Sequence, residues 1–360
     1  MDPTGQLERG VPVKNIVLCM DGTGNQVQAK DSTSVVRLFT LLDLSHPEEQ
    51  IAYYDPGVGT LGSSRSWSPW GQSLTKVLGL GFGLGLRENL GEAYSYLMST
   101  YEDGDRIFIF GFSRGAYTAR ALCGMLLKLG LLRDGAQNLV PYAVSLYTGD
   151  DVDWKQLGRF GGAMSRRGAD GRMGVRVHYL GLWDTVKAAG LLRGGLTWPD
   201  TRQLPNVDRI RHAVAIDEKR RPFAEYLVHP VKKPPKNAPP RVLDEVWFAG
   251  VHSDVGGTFP DHELSDIVLK WMVEDAVEHH LKATSTALAE ATSVDPASAL
   301  GQIHRMGRSW AVLGFRRRQV PEGASVHSSV RTRVEAQPDY AGRLPADVTW
   351  VDDAWVEKRS

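Results

Sequence analysis

Arg106-Ile107-Phe108-Ile109-Phe110-Gly111-Phe112-Ser113-Arg114-Gly115-Ala116-Tyr117 is the stretch on which the fold of this chain turns. Arg106–Phe110 is an apolar run too short for a helix, so it reads as a buried strand. Past it, Ala119, Leu122, Met125, Leu126 and Leu129 recur at helical spacing and predict a helix over Arg114–Leu129. Between the two stands Gly-x-Ser-x-Gly with no residue to spare. Glycine at 111 and 115 lets the backbone turn tightly and keeps side chains off the neighbouring elements. Ser113 then occupies a strained strand-to-helix corner, and the N–H of Arg114 points to the same spot from the helix N-terminus.

Outward from this corner, strands are expected at Lys14–Met20, Gln50–Tyr54, Val175–Trp183 and Val242–Ala249. Helices are expected at Ser34–Leu42, capped by Ser32 or Thr33, and from the glycine-rich Gly79–Gly85 to about Tyr101. Val207–Asp217 reads as helical and Leu264–Leu281 as an amphipathic helix. Residues 150–173, polar and glycine-rich, and 229–241, with five prolines, read as loop excursions. The tail from Ser309 is a source of edge strands, within a C-terminal extension over 285–360 whose elements the sequence leaves undefined. Strands alternating with helices imply an α/β fold, a mostly parallel sheet with helices on both faces, in a single domain over 1–360.

Lys plus Arg equals Asp plus Glu at 42 each, so nothing in the charge balance calls for nucleic acid as a partner. Cys19 and Cys123 lie in apolar runs and read as buried small hydrophobes, without a disulfide or zinc pattern. No apolar leader stands in Met1–Gly10, and no stretch approaches a membrane span. Cytoplasmic synthesis without a signal peptide is the expectation, which leaves export by a signal-independent route open. Gly79–Gly85 lacks the third glycine of a dinucleotide fingerprint.

Chemistry is expected just past the ends of four strands, where an open α/β sheet forms its crevice. A serine hydroxyl needs a base, and the base needs an orienting carboxylate. Asp184, in Gly181-Leu182-Trp183-Asp184-Thr185-Val186, follows a strand and can orient. His252, in Phe248-Ala249-Gly250-Val251-His252-Ser253-Asp254-Val255-Gly256-Gly257, follows another and can act as base. Other histidines suit less: His279 and His280 end a helix, His178 lies inside a strand, and His46 and His229 precede prolines. Asp254 competes with Asp184 as orienter, or else fixes the histidine loop by hydrogen bonds.

The fourth segment is Met20-Asp21-Gly22-Thr23-Gly24-Asn25. Haloacid-dehalogenase-type phosphatases carry Asp-x-Asp-Gly-Thr, but Cys19 stands where their nucleophilic aspartate would, so that chemistry is rejected. The N–H of Gly22 or Thr23 is better placed as a second oxyanion donor beside Arg114. A pairing of Asp21 with Asp254 around a divalent cation is the alternative; otherwise no metal or cofactor is needed. Trp67, Trp70, Leu191, Leu192 and Trp198 could form an apolar rim or lid, or simply be buried.

Taken together, these segments resemble the α/β-hydrolases of bacteria and fungi that include the type VI secretion lipase effectors. The likeness runs over residues 13–280 and is carried by the elbow through Arg120, Leu182–Val186, the histidine loop, Asn15–Asn25, His212–Glu218 and Leu264–Met272. It implies a Ser113-Asp184-His252 triad and hydrolysis of lipid or phospholipid acyl esters. It also implies peripheral membrane contact and a secretion-apparatus or immunity-protein partner. At 360 residues no long membrane-docking region like that of the large effectors is expected here, so a small soluble ester or a thioester is the rival substrate. A catalytically silent binding protein is the rival of another class.

Overall fold

The computed structural model describes residues 13–22, 32–57, 82–187, 197–231, 241–307, 310 and 313–357. Its strands are β1 (Asn15–Asp21), β2 (Gln50–Asp55), β3 (Arg106–Phe112), β4 (Val177–Trp183), β5 (Val207–Ala215), β6 (Val242–Phe248), β7 (Ala324–His327) and β8 (Val348–Val351). The helices are α1 (Ser34–Leu41), α2 (Phe82–Thr100), α3 (Arg114–Leu129), α4 (Val140–Thr148), α5 (Trp154–Met164), α6 (His252–Gly256), α7 (Glu263–Glu278), α8 (Ser285–Ala291) and α9 (Ser328–Ala336).

All strands join one sheet in the order β2-β1-β3-β4-β5-β6-β7-β8, and every pairing is parallel. Both faces are covered, which is why β1 is buried along its whole length and reads as one apolar run. On one face Ile16, Leu18, Ile107, Ile109 and Leu180 pack under α2, α3, α4 and α5. On the other, Val17, Cys19, Phe108, Phe110 and Tyr179 pack under α1 and α7. The free thiols of Cys19 and Cys123 are buried in these layers. A third cluster, around Trp247, Val326, Val330 and Tyr340, seats the C-terminal extension against β6, so the edge strands expected from the tail are β7 and β8.

Three expectations are corrected. Val207–Asp217 is not a helix: it contains β5, an inner strand between β4 and β6. Arg211 and His212 are buried and Arg209 half-buried in it because other segments supply their partners. Arg209 and Arg211 both reach Asp275 on α7, at 2.5 and 2.9 Å, and His212 Nδ1 meets Glu245 Oε2 at 2.8 Å. Residues 150–173 are not loop throughout: Asp153 accepts from the N–H groups of Lys155 and Gln156 and starts α5. Leu157 and Gly161 are the buried residues of that helix. Helix α7 is not amphipathic but largely buried, with Lys270 held by Glu274 at 2.7 Å.

The strand order reverses around β1, with β2 on one side and β3 on the other. That switch opens a crevice at the carboxyl ends of β1 and β3. The register there pairs Asp21 with Phe112 and Phe112 with Trp183, so Gly22, Ser113 and Asp184 leave the sheet side by side. No helix among the described residues is long and apolar enough to cross a membrane.

Candidate active site

Ser113 joins β3 to α3 with φ 58° and ψ −119°, a conformation that costs a non-glycine residue about 1–3 kcal/mol. Its own N–H donates to the Trp183 carbonyl at 3.0 Å, and Tyr117 N–H returns to the Ser113 carbonyl at 3.3 Å. Close packing explains the surrounding glycines. A Cβ on Gly111 would stand 2.8 Å from Ala116 N, one on Gly115 only 2.1 Å from Met20 O, and one on Gly22 2.8 Å from Arg114 N. The Gly22 backbone is thereby pressed against the first turn of α3, and the Arg114 guanidinium ties it there through the Gly22 carbonyl.

His252 opens the short helix α6 after β6, and Asp184 follows β4 at φ 39°. The sheet brings both to Ser113. The Ser113 hydroxyl donates to His252 Nε2 at 2.8 Å, and His252 Nδ1–H donates to Asp184 Oδ2 at 2.5 Å. Phe112 stacks on the imidazole at 4.6 Å between centroids, and Phe223 meets it edge-on at 4.9 Å. Glu218 Oε2 accepts the His252 backbone N–H at 3.2 Å and is itself held by Arg220 at 2.8 Å. All three side chains of the Ser-His-Asp set are buried.

Burial pulls the His252 imidazole below its ordinary value, because the charged form loses water there; Asp184 opposes this without reversing it. Burial by itself would push the Asp184 carboxyl up, but the Arg318 guanidinium and the His252 hydrogen bond outweigh it and hold the group well below the usual carboxylate range. The arrangement is therefore a neutral imidazole facing a hydroxyl, backed by an ionised carboxylate, which is suited to taking a proton from Ser113.

Arg318 escaped the sequence reading. It donates to Asp184 Oδ1 at 2.5 Å through Nη1 and to Oδ2 at 2.9 Å through Nη2. Its neighbours Arg316 and Arg317 are exposed, and nothing in the triplet Arg316-Arg317-Arg318 marks the third as buried. Glu218 and Phe223 were missed as well, since both follow the segment misread as helical.

Asp254 does not orient His252. It accepts Val251 N–H at 2.8 Å and meets His304 Nδ1 at 2.7 Å, so it braces the histidine loop. Asp21 accepts from Thr33 Oγ1 at 2.7 Å and so ties the end of β1 to the cap of α1. The two carboxylates thus have separate partners. Thr23, Trp67, Trp70, Leu191 and Leu192 lie outside the described residues. Trp198 is no part of a rim: it is buried beside Tyr117, with ring centroids 5.6 Å apart. A groove of about 690 Å³ between α2 and α4, lined by Tyr53, Arg87, Gly91, Val140 and Val144, lies apart from these groups.

Among known proteins, the family described as "T6SS, Phospholipase effector Tle1-like, catalytic domain" matches residues 14–275. An uncharacterized protein of Saccharomyces cerevisiae is 34% identical over 236 residues, which cover 62% of this chain and 34% of that protein. A crystal structure of an uncharacterized protein from Pseudomonas aeruginosa aligns with a TM-score of 0.44 at 20% identity, over 81% of this chain and 51% of that one. The Tle1 effector bound to the VgrG spike from the Type 6 secretion system aligns at 0.37 and 18%, over 69% and 52%. The chain therefore spans about a third of the yeast relative (34%) and about half of the two structures (51% and 52%).

Proposed function

The chain belongs to the family of Tle1-like catalytic domains of type VI secretion phospholipase effectors, and on that premise we propose that it is a serine hydrolase that cleaves acyl esters of lipids. The observation that carries the reading is the unbroken hydrogen-bond path from the Ser113 hydroxyl through His252 to Asp184. In the proposed reaction Ser113 Oγ attacks the acyl carbon while its proton passes to His252 Nε2. The carbonyl oxygen becomes an oxyanion, received by the N–H groups of Arg114 and of Gly22 or Thr23. Collapse expels the alcohol, which takes the proton from His252 and leaves an acyl-Ser113 ester. Water, deprotonated by His252, then releases the fatty acid and restores the hydroxyl.

This sequence of steps uses no cofactor; a divalent cation between Asp21 and Asp254 is the competing proposal. Replacing Ser113→Ala should lower hydrolysis of a short p-nitrophenyl ester by about 10³-fold or more with the thermal melt nearly unchanged. Labelling by a fluorophosphonate should vanish in the same variant. Full activity in Ser113→Ala would end the proposal, absent labelling of the parent would favour a silent binding protein, and loss of turnover on chelation would favour the cation.

A specific surface feature favours lipid over a soluble ester. Between Asp295 and Glu322 the chain carries five arginines and neither Asp nor Glu. Arg305, Arg316 and Arg317 are exposed there, and Phe315 is 50% exposed. This ribbon pairs with the stretch bearing Lys219, Arg221 and Phe223, through Arg316 N–H to the Lys219 carbonyl at 2.6 Å and Arg221 N–H to the Gly314 carbonyl at 3.1 Å. Among the described residues, Lys219, Arg221, Arg305, Arg316 and Arg317 have no carboxylate at ion-pair distance. Since Phe223 touches His252, this cationic, partly aromatic strip flanks the site. Such a surface suits contact with phospholipid headgroups. A secretion apparatus that carries the chain, and an immunity protein that blocks it, are partners proposed from the family alone; co-purification tests them.

A further inference from the structure

Arg318 lies beyond residues 14–275, the span matched by the family, yet its side chain is as buried as that of Asp184, at 1% exposure each. Every polar atom of its guanidinium is engaged. Nη1 reaches Asp184 Oδ1 and the Ala215 carbonyl, at 2.5 and 3.0 Å. Nη2 reaches Asp184 Oδ2 and the Phe223 carbonyl, at 2.9 and 2.6 Å. Nε reaches the same Phe223 carbonyl at 3.2 Å. We propose that Arg318 is a positioning residue that locks the Asp184 carboxylate against His252, so that the C-terminal extension is a working part of the site. The inference rests on Ser113 acting as the nucleophile.

The physical case has two parts. Asp184 takes three further donors besides His252: Arg318 twice and Ala215 N–H at 2.9 Å. Two parallel bonds from a planar guanidinium fix the plane of the carboxylate, and with it the direction of Oδ2, which a point charge could not do. The second part is charge. A carboxylate and an imidazole in contact titrate as a pair, and an uncompensated buried anion would hold a proton on that pair. The permanent charge of Arg318 balances Asp184, so the pair releases its proton at lower pH and the imidazole stays free to accept from Ser113.

Other charged groups face the pair without replacing Arg318. Glu218 and Arg220, from the stretch after β5, neutralise each other at 2.8 Å. Glu225 stands 3.9 Å from Arg318 Nε and is partly exposed. His212 on β5 accepts Thr185 N–H at 3.2 Å and pairs with Glu245 behind Asp184.

The test is the pH dependence of kcat/KM for a soluble p-nitrophenyl ester, measured on the full chain and on Arg318→Met and Arg318→Lys. In Arg318→Met the acid limb should move up by about 1 pH unit or more, because an opposite charge at contact has been removed. Its kcat should fall about 10²-fold through loss of the fixed carboxylate. Arg318→Lys should bring the limb back toward the parent position with kcat still reduced, and millimolar guanidinium should partly restore Arg318→Met. A role confined to folding would lower active protein without moving the limb. Should Arg318→Met fail to fold, Arg318→Lys alone decides. Parent kcat and parent limb in whichever variant folds would overturn the proposal. Ser113→Ala runs alongside: if that variant is active the nucleophile reading has failed, and if it is dead while Arg318→Met behaves as the parent, only this inference has failed.

Discussion

His252 is held between two aromatic rings, Phe112 stacked at 4.6 Å and Phe223 edge-on at 4.9 Å, with Asp184 behind it. A charged imidazolium finds no water in that slot, so burial lowers its affinity for a proton below the ordinary 6.5. In the proposed reaction His252 can act as base only when neutral. Turnover should therefore be lost as pH falls through a folded-state value that lies under 6.5, and kcat/KM on a soluble ester should reach half of its maximum on the acid side below that pH. An acid-limb midpoint at or above neutrality would contradict the geometry. Asp184 works in the other sense. Its depressed value contributes stability that is present above the ordinary 3.8 and is lost as pH falls further, through the folded-state value. At this scale Ser113, Asp184 and His252 were legible because each follows a recognisable apolar strand. Arg318 was not, because a buried arginine shows itself only through the carboxylate it meets.

The strand-to-helix corner is the element on which the site depends, and its glycines carry a steric argument that the pattern Gly-x-Ser-x-Gly only hints at. A Cβ on Gly115 would lie 2.1 Å from the Met20 carbonyl oxygen, a backbone atom that cannot swing aside. Gly115→Ala should therefore destabilise the fold by about 2 kcal/mol or more, and depress activity further by pushing β1 and Gly22 away from the corner. Chemical denaturation with a parallel ester assay checks this, and a parent-like midpoint would refute it. The helix α3 was read to its last residue because its apolar periodicity is clean and Ser113 fixes its start. Strand β5 was misread because Val207, Ile210 and Val214 happen to fall at helical spacing. Its Arg209, Arg211 and His212 look like a solvated face until α7 and β6 supply Asp275 and Glu245. For Asp254 the sequence offers two roles, rival orienter or brace of the histidine loop, and the turn of α6 selects the second by aiming it at Val251 N–H and His304.

Across the whole sequence the formal charge is zero, yet among the described residues cations with no carboxylate at ion-pair distance gather on one strip beside His252. Lys219 registers that crowding: burial lowers its affinity for a proton, and Arg343, Arg317 and Arg305 add to the effect. Anionic vesicles of phosphatidylcholine with phosphatidylglycerol should therefore bind the protein more tightly than pure phosphatidylcholine, by about tenfold at low salt. The attraction should fade as the Debye length shrinks from about 10 Å at 0.1 M salt to about 3 Å at 1 M. Lys219→Glu combined with Arg317→Glu should abolish the difference while leaving turnover of a soluble ester near the parent value. Equal binding to both vesicle types would remove the strip as a lipid contact. The sequence by itself determined the parallel α/β architecture and the serine corner, because both are written in local runs of apolar residues and glycines. It also placed Asp184 and His252 at strand ends, where parallel register brings them together. Only the tertiary structure decided which carboxylate serves the imidazole, that β5 is a strand, and that an arginine 134 residues away from Asp184 clamps it. Those outcomes depend on buried polar groups finding partners far along the chain, and long-range charge pairing leaves no period in the sequence.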